Sequence, residues 1–128
     1  MEIGLGGRLD AVNVWDADVA IVTSIGLDHQ QWLGPDRASI GLEKIGIGRK
    51  RKPMVIGDRA IPSSVQEKSV NEQYQLYRLG KEYDYQPLGK GVQISIVDQE
   101  QRPIGQYPID CPSLHPANIA TALQAFAL

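Results

Sequence analysis

The sequence predicts an α/β fold: a mostly parallel sheet flanked by helices, with a small antiparallel hairpin near the C-terminal end. The first half of the chain alternates short apolar runs with amphipathic segments, which is typical of parallel strands joined by helices. From residue 74 onward, apolar and polar residues alternate over short stretches, as they do in half-exposed antiparallel strands. This change of period separates the predicted parallel part from the hairpin.

The first predicted strand, residues 18–25, is a continuous apolar and β-branched run of the kind that is covered on both faces in a parallel sheet. Residues 53–57 form a second strand of the same kind. Between them the sequence predicts a short amphipathic helix that Gly46 ends in a left-handed conformation. The residues that define this helix are Asp36 as its cap and Ala38, Leu42 and Ile45 on its apolar face. A surface helix with Pro62 in its first turn then extends to about residue 72.

The second half of the chain begins with a third predicted strand at residues 75–79. A hairpin follows, in which residues 92–97 pair with residues 104–109. Two prolines, Pro103 and Pro108, restrict the second of these strands to an edge of the sheet, because proline cannot donate a ladder hydrogen bond. The chain ends in an amphipathic helix whose apolar positions are Ile119, Ala122, Leu123 and Phe126.

Composition indicates a globular domain but does not select a function. The chain has 128 residues, of which 42% are hydrophobic, and a formal net charge of -2. Its one dense basic run, residues 49–52, is predicted to be a solvated cluster, so nucleic acid is not an expected partner. The single cysteine, Cys111, fits a reducing compartment and is predicted to be a small buried residue. No export leader or membrane-spanning run is recognisable, so we expect a cytoplasmic location and no membrane partner.

Three segments in the first 47 residues contain side chains that can handle metal ions or phosphate. Glu2 precedes a glycine-rich turn that lets main-chain amides approach an anion, and its carboxylate can bind a hard cation. His29 follows the first predicted strand, where open α/β sheets place their ligand crevice. Lys44 lies in the last turn of the short helix, where it would also complement the helix dipole. A solvated glutamate and a structural histidine are the corresponding alternatives for the first two residues.

In order and spacing, these segments resemble the ATP-binding central domain of the folylpolyglutamate synthase and dihydrofolate synthase family, the folate branch of the Mur ligases. Residues 2–13 follow the family pattern Glu-Val-Gly-Leu-Gly-Gly-Arg-Leu-Asp-Ala-Thr-Asn except at Ile3 and Val12. The resemblance is close over residues 2–47. The phosphate-binding pattern Gly-x-x-x-x-Gly-Lys-[Ser/Thr] does not occur in the sequence. Residues 1–128 are therefore expected to be an incomplete, Mur-ligase-type central ATPase domain without its phosphate loop and C-terminal ligase domain.

The resemblance implies that Glu2 and His29 bind the Mg²⁺ ion that bridges the phosphates of ATP. It implies that Lys44 is a catalytic residue that is carbamylated in the family, although Ile45 stands where alanine is usual. Lys44 is expected to be an unmodified amine in a fragment that cannot assemble the site.

Two further residues are carried over from the resemblance. Asp10 is implied to be catalytic, by holding the amine of the incoming glutamate; a salt bridge to Arg8 or a turn-forming role is the structural alternative. Asn118, at the start of the last helix, is implied to bind the adenine of ATP, with a plain N-cap as the alternative. His115 precedes it in a context that departs from the family.

The implied activity is the ATP-dependent addition of L-glutamate to dihydropteroate or folates through an acyl phosphate. The fragment alone is expected to be inactive, because it lacks the phosphate loop. A cell-wall Mur ligase is one alternative, although residues 27–34 resemble the folate branch more closely, and a non-catalytic remnant or interaction module is the other. Removal of neighbouring strands would uncover a sheet edge, so the chain is expected to form a homodimer.

Overall fold

The computed structural model describes residues 1–110 and 113–128, which contain two three-stranded sheets and four α-helices. Cys111, predicted to be a small buried residue, lies outside the described part of the chain. The strands are β1 (Ala20–Val22), β2 (Pro53–Ile56), β3 (Gln75–Arg78), β4 (Asp84–Leu88), β5 (Gly91–Val97) and β6 (Pro103–Asp110). The helices are α1 (Gln30–Leu33), α2 (Arg37–Lys44), α3 (Ser63–Asn71) and α4 (Pro116–Phe126). Two short 3₁₀ helices are Ala11–Val14 and Ile45–Ile47.

The first sheet is parallel, as predicted, and its strand order is β1-β2-β3. Strand β2 lies in its centre and is buried along its whole length. Because successive side chains of a strand point to opposite faces, Met54 packs in one core with Ile40 of α2 and Val65 of α3. Val55 points the other way and belongs to a second core, shared with the antiparallel sheet. The central strand thus separates two hydrophobic layers.

Strand β1 is shorter and less covered than the apolar run at 18–25 predicts. Only Ala20–Val22 is paired, and the side chain in the middle, Ile21, is 41% exposed. The prediction of a strand covered on both faces is therefore wrong for β1. Its outer edge has no partner strand within the part of the chain that the structure describes.

The second sheet is antiparallel, with the order β4-β5-β6. The predicted hairpin is confirmed in the pairing of β5 with β6, in which Val92 lies opposite Ile109. Strand β6 is at the edge of the sheet, as its two prolines predict. The sequence analysis did not predict β4. Its last three residues, 86–88, are exposed, and one of them is Pro87.

Helix α4 joins the two sheets through buried polar side chains. The amide of Gln124 accepts a hydrogen bond from the Val97 N–H at 3.0 Å and donates one to the Val97 carbonyl at 2.9 Å. The Tyr83 hydroxyl lies 3.0 Å from the Ile56 carbonyl of β2 and 2.9 Å from Oγ1 of Thr121 in α4. Burial raises the pKa of Tyr83 to about 12. These contacts fix α4 against β2 and β5 at once.

The end of α2 differs from the prediction. Asp36 caps the start of the helix as predicted, by accepting a hydrogen bond from the Ser39 amide at 2.8 Å. Gly46 does not adopt a left-handed conformation; the helix continues into the 3₁₀ turn Ile45–Ile47. A Cβ atom on Gly46 would lie 2.5 Å from Cβ of Arg8. A glycine is required here because the N-terminal segment packs directly against the helix end.

The helices of residues 1–110 and 113–128 are all too short to cross a membrane. The longest, α4, has 11 residues, whereas a spanning helix needs about 20.

Candidate functional site

The glycine-rich segment at the N-terminus is held against the end of α2. The Arg8 amide donates to the Glu43 carbonyl at 3.0 Å, and the Arg8 guanidinium pairs with the Glu43 carboxylate at 3.0 Å. Gly7 is buried at this contact, and a Cβ atom there would lie 2.8 Å from the Glu43 carbonyl and 2.9 Å from that of Lys44. Because Gly7 and Gly46 have no side chains, the segment that carries Glu2 can pack closely against the helix that carries Lys44.

The Asp10 carboxylate organises the turn itself. It accepts hydrogen bonds from the amides of Val12 at 2.9 Å, Leu5 at 3.0 Å and Gly4 at 3.1 Å. These bonds, that from Val12 foremost, hold the pKa of the Asp10 carboxyl below its ordinary value. Of the two structural alternatives, Asp10 therefore has the turn-forming role. The salt bridge to Arg8 is not formed, because Arg8 pairs with Glu43.

His29 lies in the loop that leaves the carboxyl end of β1. Its backbone is left-handed, with φ of 54°, and its carbonyl accepts the first hydrogen bonds of α1. The imidazole is exposed and makes no capping hydrogen bond to the helix. The ring is therefore available to a ligand. A left-handed conformation is uncommon for a residue with a Cβ atom, although the described part of this chain also has it at Arg51, Gln73 and Gln101.

Ile25, a buried residue of the same loop, is bonded to side chains of two other segments. The Ile25 amide donates to Oδ2 of Asp58 at 3.0 Å, and its carbonyl accepts a hydrogen bond from Nε of Arg37 at 2.7 Å. Arg37 also pairs with Oδ2 of Asp58 at 2.8 Å. Burial by itself would raise the pKa of Asp58, but hydrogen bonds from Ala60, Ile25 and Arg37 lower it below its ordinary value. The loop is thus tied to β2 and α2.

Glu2, His29 and Lys44 line one cleft of about 820 Å³. One wall of the cleft is β1, including the exposed side chain of Ile21. The structure therefore brings together the three residues from the three predicted segments, although they are far apart in the sequence. Among the described residues, no three histidine, cysteine, aspartate or glutamate side chains converge as a complete metal site.

A second cleft of about 460 Å³ lies on the other side of the glycine-rich turn. It combines apolar and aromatic walls with charged groups; its lining includes Leu9, Trp32, Arg8, Asp10 and Glu43. The two clefts share Leu5, Gly6 and Leu33. Gly6 has φ of +70°, and a Cβ atom there would lie 2.7 Å from Leu33. The wall between the clefts is thus the glycine turn packed against α1.

Asn118 lies apart from this region. It is an exposed residue inside the first turn of α4 and lines neither cleft. It is not the N-cap: that position is taken by His115, whose Nδ1 accepts a hydrogen bond from the Ala117 amide at 3.3 Å. The structural alternative for Asn118 is therefore wrong, and the capping role belongs to His115.

Arg49 is a structural residue of the site that the sequence did not indicate. It donates to the carbonyls of Asn13 at 2.7 Å, Ile47 at 3.0 Å and Gly48 at 3.1 Å, and it pairs with Asp16. The prediction that residues 49–52 form a solvated cluster is wrong for Arg49, whose side chain is only 26% exposed. A single basic side chain thus joins the N-terminal segment to the chain that follows α2. The sequence also did not indicate Arg37 and Asp58, because their contacts with each other and with Ile25 join positions that are distant in the sequence.

Comparison with known proteins shows what the chain resembles. No protein-family model matches it. It is 35% identical over 127 residues to a dihydrofolate synthase/folylpolyglutamate synthase from Haemophilus influenzae, covering 98% of this chain and 28% of that protein. It is 54% identical over 85 residues to the protein of the same name from Escherichia coli, covering 66% of this chain and 20% of that protein.

Solved structures agree with this result. Escherichia coli FolC in complex with DHPP and ADP superposes with a TM-score of 0.86 at 42% identity, covering 98% of this chain and 29% of that one. The Yersinia pestis bifunctional folylpolyglutamate synthase/dihydrofolate synthase, complexed with AMPPNP and Mn ion, has a TM-score of 0.82 at 40% identity, with coverage of 98% and 29%. The chain thus spans less than a third of the length of these relatives. On sequence and fold together, the chain belongs to the folylpolyglutamate synthase/dihydrofolate synthase family.

Proposed function

We propose that this chain provides the metal-binding cleft of an ATP-dependent ligase that adds L-glutamate to dihydropteroate or to folates. The observation that carries the proposal is the shared cleft of Glu2, His29 and Lys44. The relatives support it, because one is complexed with AMPPNP and Mn ion and another with DHPP and ADP. ATP and Mg²⁺ are accordingly the proposed cofactors, and dihydropteroate or folate, L-glutamate and ATP the small-molecule partners.

The donor set fits Mg²⁺ or Mn²⁺. Glu2 offers carboxylate oxygens and His29 an exposed imidazole that makes no capping hydrogen bond, and both line the cleft. Magnesium usually takes only one or two protein ligands and fills its other positions with water and substrate phosphates, so a complete protein cage is not required. When bound, the ion would neutralise phosphate charge during transfer of the γ-phosphoryl group. Glu2 and His29 would hold it beside the glycine-rich turn.

The reaction proposed for the whole enzyme has two steps. An oxygen of the dihydropteroate or folate carboxylate bonds to the γ-phosphorus of ATP, and the bond to ADP breaks, leaving an acyl phosphate. The amino group of L-glutamate then bonds to the acyl carbon, loses a proton and displaces inorganic phosphate. The protein contributes positioning and electrostatic stabilisation rather than a covalent intermediate of its own.

Asp10 would hold the glutamate amine. Asp10 lines the second cleft, and hydrogen bonds from three main-chain amides fix the orientation of its carboxylate. An ionised carboxylate has about four acceptor positions, so one remains for an amine N–H. Lys44 would act in the whole enzyme as a carbamate, formed when CO₂ adds to the neutral amine and a proton is released. Asn118, exposed on α4, would contact the adenine.

The decisive experiment is a chimera in which residues 1–128 replace the matching segment of the Haemophilus influenzae relative, to which 98% of this chain aligns. We expect glutamate-dependent release of phosphate from ATP with dihydropteroate, tetrahydrofolate or both. Alanine at Glu2 or His29 should lower turnover at least about 100-fold, since lost charge stabilisation is worth several kcal/mol. Thermal unfolding should be unchanged.

Other outcomes would contradict parts of the proposal. Full turnover of both alanine variants would mean that Glu2 is a solvated side chain and that His29 has a structural role. A folded chimera without turnover would favour a non-catalytic interaction module. Activity with a sugar-nucleotide peptide alone would favour a cell-wall Mur ligase.

Residues 1–128 by themselves are proposed to be inactive. The sequence has no Gly-x-x-x-x-Gly-Lys-[Ser/Thr] segment to wrap the phosphates of ATP. Calorimetry with Mg-ATP should therefore show no tight site. An affinity of about 1 μM or better, equivalent to roughly 8 kcal/mol, would contradict this.

Residues 1–128 are also proposed to self-associate as a two-fold dimer. The outer edge of β1 is unpaired within the described residues, and Trp15 and Ile21 are exposed beside it. An unpaired edge with apolar neighbours favours association with a second chain. Light scattering should give the mass of a dimer, and a monomeric mass at high concentration would refute this proposal.

A further inference from the structure

The path of the loop that carries His29 is fixed by side chains from two other elements. Beyond the end of β1, both main-chain polar groups of Ile25 are bonded to charged side chains: the amide to Asp58 and the carbonyl to Arg37. Arg37 and Asp58 are themselves joined at 2.8 Å. The three residues form a closed ring of hydrogen bonds, which we term the Ile25 clamp. Hydrogen bonds with one charged partner are roughly twice as strong as neutral ones.

The clamp is anchored at its base. The second oxygen of Asp58 accepts the Ala60 amide at 2.8 Å, and the Asp58 side chain is only 14% exposed. Next to it, a Cβ atom on Gly57 would lie 2.6 Å from the Thr23 carbonyl, so the chain ends of β1 and β2 are in direct contact. Asp58 is thus a largely buried side chain that is bonded on both oxygens just beyond the end of β2.

We propose that Arg37 and Asp58 are positioning residues that order the loop from residue 26 to residue 29 and so present His29 to the metal-binding cleft. The inference rests on the proposed function, because it assumes that His29 binds a divalent ion there. The left-handed backbone of His29 is an uncommon conformation that such contacts would favour, and Ile25 is the buried residue nearest to it in the sequence. Residues that orient a metal ligand typically change metal affinity about 10- to 100-fold when they are replaced.

The test uses nuclear magnetic resonance on the 128-residue chain, whose two histidines provide an internal reference. One measurement is the ¹⁵N heteronuclear NOE of residues 27–29, which reports the order of the loop. The other is the Mn²⁺ concentration that broadens the imidazole signal of His29 relative to that of His115. The first variant is Asp58→Asn, which removes the charge and keeps the shape of the side chain. The second is Arg37→Lys, which keeps the charge but lacks the planar guanidinium that bonds to Ile25 and Asp58 at the same time.

A matched control is Asp98→Asn. Asp98 also accepts two main-chain amides, those of Glu100 and Arg102, and pairs with an arginine, but it lies in the turn between β5 and β6. We expect both clamp variants to lower the loop NOE and to raise the Mn²⁺ concentration needed at His29 about tenfold or more. The control should change neither measurement.

The outcomes separate this inference from the proposed function. If Mn²⁺ does not broaden His29 preferentially in the unmodified chain, the proposed metal pair fails, and the NOE alone decides whether the clamp orders the loop. If folded clamp variants keep both the loop NOE and the Mn²⁺ response of the unmodified chain, the inference is overturned. Circular dichroism verifies folding, and Arg37→Lys decides the matter if Asp58→Asn does not fold.

Discussion

Different interactions stabilise the antiparallel half of the molecule and the region around the cleft. In the antiparallel half, β4, β5 and β6 pack with α4 around buried apolar side chains, and the few polar groups inside are fully paired. Around the cleft, long segments without regular structure are fixed by charged side chains such as Arg8, Arg37 and Arg49. Apolar burial is the larger source of stability, whereas charge-assisted bonds at a surface fix geometry. We therefore expect that substitutions can change the stability of the scaffold and the geometry of the site separately.

The largest effect on the apolar core of the scaffold is expected for Ile94→Ala. Ile94 is fully buried in the core of the antiparallel half, so its truncation leaves a cavity. The free energy of unfolding should fall by about 2–5 kcal/mol. Urea denaturation measures this change. The control Ile104→Ala, at an exposed position of β6, should change the free energy by less than about 0.5 kcal/mol. Equal losses in the two variants would mean that β5 does not carry the core.

Gln124→Leu tests whether the polar groups inside the scaffold matter as much as its apolar ones. The substitution leaves the amide and carbonyl of Val97 buried without their partners. Each unpaired group should lower the free energy of unfolding by about 1–3 kcal/mol. Gln93→Leu is the control, because the Gln93 amide bonds to Gln106 at the surface. A Gln124→Leu variant as stable as the control would show that water or repacking replaces these bonds.

Gly46→Ala is expected to disturb the site more than the scaffold. The added methyl group would overlap Cβ of Arg8 and push the N-terminal segment away from α2. We expect a loss of about 1–3 kcal/mol in the free energy of unfolding and a weaker Mn²⁺ response of His29. Gly4→Ala is the control, since a Cβ atom there meets only Oδ2 of Asp10 at an ordinary 3.5 Å. An unchanged Mn²⁺ response in Gly46→Ala would separate this packing contact from the cleft.

The smallest effect is expected from acid. The pKa of Asp58 is lowered in the folded chain, so its stabilising contribution is present above the unfolded value of about 3.9 and is lost as the pH falls through the lower folded value. The unmodified chain should therefore lose stability below about pH 4 more steeply than Asp58→Asn. Thermal unfolding between pH 6 and about pH 3 measures the difference. Parallel curves for the two proteins would show that Asp58 titrates alike in the folded and unfolded chains.

The positions of most scaffold strands and helices were predictable from the sequence, because their signals are local. The buried face of α4 was predicted wrongly: Thr121 and Gln124 are buried, whereas Phe126 is 90% exposed. Strand β2 is a continuous apolar run, and the β5–β6 hairpin alternates with period two, so each was recognised from adjacent residues. Strand β4 was missed because its exposed residues and Pro87 give no such alternation. Strand β1 was overestimated: Ala20 and Val22 are buried in the core, but Ile21, on the opposite face, lines a cleft instead of meeting a second layer.

Of the site, only the chemical groups that line the cleft were predictable. Glu2, His29 and Lys44 could be selected by residue type and by the resemblance, and the structure places them on one cleft. The side chains that hold this arrangement could not be selected, because Arg37 and Asp58 are separated by 21 residues and carry no motif. The requirement for Gly46 also depends on a distant neighbour, Arg8, rather than on the local helix end.

The attachments of the N-terminal segment have a consequence for the order of folding. The bonds from Arg8 to Glu43, from Asn13 to Gly46 and from Arg49 to Asn13 join positions 33 to 36 residues apart. Such contacts form only after a long loop has closed, and the closure entropy must be met before they contribute. The pairing of β1 with β2 joins positions equally far apart, such as Ala20 and Met54, so we expect the cleft to assemble together with the parallel sheet. Because the N-terminal segment is held by partly exposed charged side chains rather than by apolar burial, we expect its amides to be among the first to exchange with solvent hydrogen when the native chain opens locally.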